Sequence, residues 1–169
     1  QKLIPKIDFK IGSKIGSTGA VSLTVKSIDM GDITITTVEA MDGTGSTFTP
    51  NMTTMALTYA NAFSDKARFG VSVKSITESI PRASASALAL DAGVQYENLN
   101  DIQGLGIALA LKNIGTDMHY TGSGLTTMAS EDNLEDFYNV EASHDKLPST
   151  FDMAVSYKVS GATLAATYT

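Results

Sequence analysis

The 169-residue chain has no cysteine, no tryptophan, two histidines and four prolines, and only 18% of its residues are charged. Without cysteine there is neither a disulfide framework nor a thiolate metal site, a composition that suits a reducing cytosol and a disulfide-free envelope protein alike. So little charge is unusual for a soluble surface. The formal charge is −6 and the 12 basic residues form no cluster, which excludes nucleic acid as a partner. No apolar run reaches the length of a membrane-spanning helix. A charged-then-apolar secretory start is absent too, though a mature envelope protein would have lost it.

Chemistry-bearing motifs are equally scarce. Asp42-Gly43-Thr44-Gly45-Ser46 lacks the Gly-Lys-Ser/Thr of a phosphate loop and the Asp-Thr/Ser-Gly of an aspartic protease, and reads as a surface turn. His119 and His144 have no ligand-like spacing and read as solvated loop residues. Glu131, Asp132, Glu135 and Asp136 lack the spacing of a calcium loop. No Ser, His and Asp stand in an order that suggests a triad. The expectation is a protein that is not an enzyme and carries no cofactor.

What the chain does have is 43% hydrophobic residues, 14 glycines and a period of two. Bulky residues alternate with small or charged ones in Ile7, Phe9, Ile11; Val21, Leu23, Val25; Met55, Leu57, Tyr59; Phe69, Val71, Val73; Leu88, Leu90, Val94, Tyr96; Leu105, Ile107, Leu109, Leu111; Phe151, Met153, Val155, Tyr157; and Ala162, Leu164, Ala166, Tyr168. Strict alternation sends successive side chains to opposite faces of a strand. About eight strands result, of roughly nine to thirteen residues, near the length that crosses a bilayer at a tilt.

The charges decide between environments. Lys6, Asp8, Lys10, Lys26, Lys74, Asp91, Lys112, Asp152 and Lys158 all share the parity of the Gly, Ala and Ser residues, and none falls on the bulky row. A soluble β-sandwich, the alternative reading, buries its bulky row and sets charges among large polar groups outside. Isolated charges among small residues fit a crowded barrel interior, and a continuous bulky row fits lipid. The fold expected is an all-β, antiparallel transmembrane β-barrel forming one domain over residues 1–169. Its lumen-facing charged candidates are Lys26, Lys74, Asp91, Lys112, Asp152 and Lys158, whose opposite signs are expected to pair inside.

Connections alternate between short links at Ser13–Thr18, Asn61–Ala67, Glu97–Gln103 and Ser160–Gly161 and outer connections at Met30–Asn51, Ser79–Ala83 and Ile114–Pro148, the pattern of periplasmic turns and external loops. The candidate extracellular loops are 30–51 and 115–148. Tyr59, Phe69, Tyr96 and Tyr157 then fall near the periplasmic ends of the bulky face as an aromatic girdle. The last long loop offers a partner surface at Tyr120, Leu134, Phe137 and Tyr138, with a short helix expected over Asn133–Val140.

Ordered phrases run the length of the chain: Lys14-Ile15-Gly16 with Gly19-Ala20-Val21-Ser22-Leu23, Met30-Gly31-Asp32-Ile33, Ala56-Leu57-Thr58-Tyr59-Ala60 leading to Phe63-Ser64-Asp65-Lys66 and Phe69-Gly70-Val71, Ala89 to Tyr96, Leu105-Gly106-Ile107, Lys112-Asn113-Ile114-Gly115, and Leu147-Pro148. In these the chain resembles the PorV/PorQ-like bacterial outer-membrane proteins, relatives of the FadL-type transporters. The resemblance implies an outer-membrane location and a barrel of about fourteen strands, of which this chain is an internal portion. It lacks the family's amino-terminal asparagine-proline segment and its further carboxyl-terminal strands. The implied roles are a type IX secretion component that docks exported proteins or sits beside a translocon, or a transporter of hydrophobic or small molecules. The implied partners are outer-membrane lipid and a secretion translocon or exported protein.

Overall fold

The computed structural model describes residues 6–131, 134–139 and 144–169. In chain order the strands are β1 (Lys6–Ile15), β2 (Gly19–Asp29), β3 (Ile33–Thr34), β4 (Thr47–Phe48), β5 (Asn51–Ala62), β6 (Ala67–Ile80), β7 (Ala83–Glu97), β8 (Leu105–Gly115), β9 (His119–Thr121), β10 (Thr126–Glu131), β11 (Leu134–Asn139), β12 (Thr150–Val159) and β13 (Ala162–Tyr168). The eight long ones form an antiparallel meander in the order β1-β2-β5-β6-β7-β8-β12-β13, and β9 joins the same sheet by pairing with β7. Each long strand bonds to the next long strand in sequence, across both the short links and the two long connections.

The all-β antiparallel expectation holds, but no barrel closes. Among the described residues β1 pairs only with β2 and β13 only with β12, so the sheet is open with two free edges. A barrel needs enough strands for the sheet to meet its own edge, and these strands do not reach round.

Three further expectations change. Ser79–Ala83 is not a loop: β6 and β7 run through it, pairing Ser79 with Ser84 and Ile80 with Ala83, with a turn at Pro81 and Arg82. Arg82 takes the left-handed conformation there, φ 75°. Of the two candidate loops, the first contains the β3–β4 hairpin, and the second contributes β9 to the main sheet. Leu134–Asn139, expected as helix, is strand β11 paired with β10; Asn133 and Val140, the limits of that expectation, lie outside the described residues. Glu135, Phe137 and Asn139 alternate in type too little to separate the two periods over so short a run.

The two faces of the sheet differ in exposure. Leu57 and Leu90 on the bulky row are each 55% exposed, whereas Ala89 on the small row is 1% exposed. Nothing among the described residues covers the bulky face. The buried residues sit on the other side, where Met118 packs with Ala85 and Ala87, joined by Ile76, Tyr120 and Leu147.

Candidate functional site: the charged face of the sheet

Charge is sorted by face. In the long strands, with Lys6 set aside, the small row carries Lys10, Lys14, Lys26, Arg68, Lys74, Lys112 and Lys158 against Asp8, Glu78, Asp91, Glu97 and Asp152. The bulky row carries one charge, Asp29, at the end of β2. Small neighbours make room for this arrangement. Register sets Ser72 beside Asp91, Gly70 beside Gly93, and Ala110 beside both Gly93 and Asp152, so long charged side chains lie across Gly, Ala and Ser.

Of the six lumen-facing candidates, four pair. Lys74 meets Asp91 at 2.7 Å, with the two side chains 15% and 27% exposed, and Lys112 meets Asp152 at 2.5 Å. Each pair is diagonal between adjacent strands: Lys74 stands opposite Ala89, and Asp91 opposite Ser72. Lys26 faces Asp8 in register, but among the described residues neither Lys26 nor Lys158 makes an ion pair.

Asp91 has a second role. The register of β7 with β8 shifts between Leu90 and Ala92, so Lys112 and Asn113 together oppose Asp91. This β-bulge places two consecutive residues on one face and keeps Ile114 on the bulky row opposite Leu90. Asn113 adopts φ 58°, a left-handed conformation that Asn tolerates better than most residues. Its N–H donates to Asp91 Oδ1 at 2.8 Å and its Nδ2 donates to the Pro148 carbonyl at 2.9 Å, while Ser149 Oγ donates to its carbonyl at 2.8 Å. Lys74 Nζ also donates to Asn113 Oδ1.

A second register shift lies between the Ala89–Gly115 and Ser86–His119 pairs. A Cβ on Gly115 would stand 2.7 Å from the Ala89 Cα, so only glycine lets the chains approach where the strand breaks. The break turns Met118 inward, where it bridges Asp145 through main-chain bonds of 2.8 and 3.2 Å. Residues 145–149 thus form a strap against the charged face, tied to Met118 at one point and to Asn113 at another.

Above the strap the bulky face turns polar. On the bulky side, Ser27, Thr53, Thr77, Ser86 and His119 are successive register partners, and Asp29, Asn51, Ser79, Ser84 and Thr121 form the next row. Asn51 Nδ2 donates to Asp29 Oδ1 at 2.5 Å, and Thr53 Oγ1 to Asn51 Oδ1 at 2.9 Å. On the other side apolar and charged residues share the same rows, Ile28 with Met52 and Glu78, and Lys26 with Thr54, Ile76 and Ala87. Tyr120, expected as a partner-loop residue, points to this inner side and donates to Glu78 Oε2 at 2.9 Å. Leu134, Phe137 and Tyr138 belong to β11, which pairs with β10 in a two-stranded sheet apart from the main one.

At the opposite end Phe63 stacks on Phe69 at 4.6 Å and Tyr59 meets Phe69 edge-on at 6.0 Å. Tyr96 and Tyr157 stand on the same row, 39% and 42% exposed. The links at this end are tied by Lys66 and Asp101, 2.7 Å apart. Their hydrogen bond holds the exposed Asp101 carboxyl below the usual carboxylate range and raises the Lys66 ammonium. Arg68 and Glu97 pair nearby at 2.8 Å.

The sequence reading missed Arg68–Glu97, the Asn113 bulge and the Lys66–Asp101 tie. Arg68 and Glu97 share the parity of the small row, and Ile114 breaks the odd-numbered bulky series of β8. Those two signals were present in the chain. His119 and His144 come together, ring centroids 4.1 Å apart. Among the described residues no group of three or more His, Asp or Glu is placed to hold a metal ion. No family model, curated protein or solved structure matches the chain.

Proposed function

We propose that this chain forms part of the wall of a bacterial outer-membrane β-barrel, and that the protein is a non-enzymatic, PorV/PorQ-like component that docks secreted or membrane partners through its loop end. The observation that carries the reading is the change of the bulky face from apolar to polar at one height. A sheet with lipid on one side and water on the other needs an uncharged band outside, polar residues where the strands rise past the headgroups, and polar residues inside along the band. Leu88, Leu90, Ala92, Val94 and Tyr96 make β7 apolar at every outer position from Leu88 to its turn end, with Ser84 and Ser86 above them. At about 3.3 Å per residue and a tilt of about 40°, that run spans about 20 Å of depth, close to the ~25 Å band of such barrels. The aromatic residues at the turn end are where an interfacial girdle belongs. A soluble sandwich would need a second layer over the bulky face, and among the described residues there is none.

Type IX secretion association rests on the ordered phrases named above and on the size of the loop-end segments. A FadL-like transporter or porin is the second reading, favoured by the polar, small-residue inner face. The test of the barrel is envelope fractionation of the native protein with a carbonate wash, detergent extraction, and gel migration with and without boiling. Retention in the membrane with heat-modifiable migration is expected; release into the soluble fraction refutes it. Pull-down of partners before and after removal of residues 116–146 then tests the docking role.

A further inference from the structure

The inner face is cationic in an acidic protein. Its seven cations outnumber its five anions, whereas the chain as a whole has 12 basic and 18 acidic residues, so the remainder is left with five basic and 13 acidic. The ion pairs cancel most of the inner charge locally. What is left over is three ammonium groups, Lys14, Lys26 and Lys158, which make no ion pair among the described residues, against one carboxylate, Glu78, to which Tyr120 donates. Two of these lysines line depressions left by small residues. Lys14 lies beside one of about 320 Å³ lined by Gly12, Ala20, Ser22 and Thr58, and Lys158 beside one of about 240 Å³ lined by Gly106, Ser156, Gln95 and Glu97, the last paired with Arg68.

We propose that this face lines an anion-accepting passage, one that takes small inorganic anions and carboxylate solutes in preference to cations. The inference rests on the barrel reading, since it needs the face to enclose water. Uncancelled cations on the wall of a narrow, low-dielectric channel raise the local concentration of anions and set selectivity, as rings of Lys and Arg do in anion pores. The paired ions fix the wall, and Lys14, Lys26 and Lys158 supply the field. Leu147 of the strap, with Met118 to which the strap is tied, packs against Ala85 and Ala87 of the wall itself.

The experiment is the reversal potential of the purified full-length protein in planar bilayers under a potassium chloride gradient. A potential of the sign set by chloride is expected, moving towards potassium by several-fold in permeability ratio in the Lys26→Glu/Lys158→Glu variant. Lys26→Gln/Lys158→Gln serves where charge reversal prevents folding, and is expected to move the ratio less in the same direction. Potassium selectivity, an electrically silent membrane, or a selectivity that neither variant changes overturns the inference, provided the protein is still heat-modifiable on gels. A protein that is neither membrane-retained nor heat-modifiable overturns the barrel reading beneath it.

Discussion

The main-chain N–H of Asn113 donates to Asp91 Oδ1 at 2.8 Å, and the same oxygen holds Lys74 at 2.7 Å. One carboxylate therefore satisfies both a bulged backbone and a shielded ammonium. Replacing Asp91 by Ala removes both at once and leaves Lys74 without its counter-ion. A loss of about 1–3 kcal/mol is expected, the usual cost of stranding a shielded polar partner. Asp91→Asn keeps an acceptor for the Asn113 N–H and should lose less, and Asp91→Ala/Lys74→Met should recover part of the loss. Urea titration followed by the heat-modifiable gel shift checks the order; an Asp91→Ala protein as stable as the parent would refute the role.

The bulge makes a separate demand on backbone conformation. At φ 58° a β-branched residue is strained, and the left-handed region costs ordinary L-residues about 1–2 kcal/mol. Asn113→Val is expected to be less stable than Asn113→Gly by about that amount, although both lose the bonds to Pro148 and Lys74. Equal stabilities would mean that the side-chain bonds, not the bulge, set the cost.

Depth should be legible by lysine substitution on the bulky row. Leu90→Lys and Val73→Lys fall inside the apolar band and are expected to cost about 2–4 kcal/mol of folding in lipid. Thr77→Lys and Ser86→Lys, on the polar row that Thr77 and Ser86 share by register, are expected to be tolerated. Refolding yield into vesicles distinguishes the two pairs, and a uniform response would argue against a band with an upper edge.

The Lys66–Asp101 tie between the links at the turn end predicts a pH response. Because the folded Asp101 carboxyl is held below its usual range by Lys66, its contribution is complete above the unfolded value of about 3.9 and is lost as pH falls through the lower, folded value. Lys66 is raised, so its side of the tie persists below about 10.4 and is lost as pH climbs through the raised value. Carboxyl NMR titration of Asp101 checks this: Lys66→Ala should return Asp101 towards the ordinary carboxylate range.

The alternation of Val21, Leu23, Val25 with Ser22, Thr24, Lys26, repeated along the chain, is enough to determine antiparallel strands and the face each residue takes, because a strand admits only two side-chain directions. The same parity placed Lys74 with Asp91 and Lys112 with Asp152 on one face. What it could not determine was register. Ser75, Thr77 and Ser79 continue β6 beyond its apolar run, but once the outer row turns polar the contrast between faces fades and the strand reads as loop. The partners of the Asn113 bulge, the inward turn of Met118 and the strap tied through Pro148 were decided by the tertiary structure alone. Each depends on hydrogen bonds between main chains distant in sequence, and the period of a single strand carries no record of its neighbour.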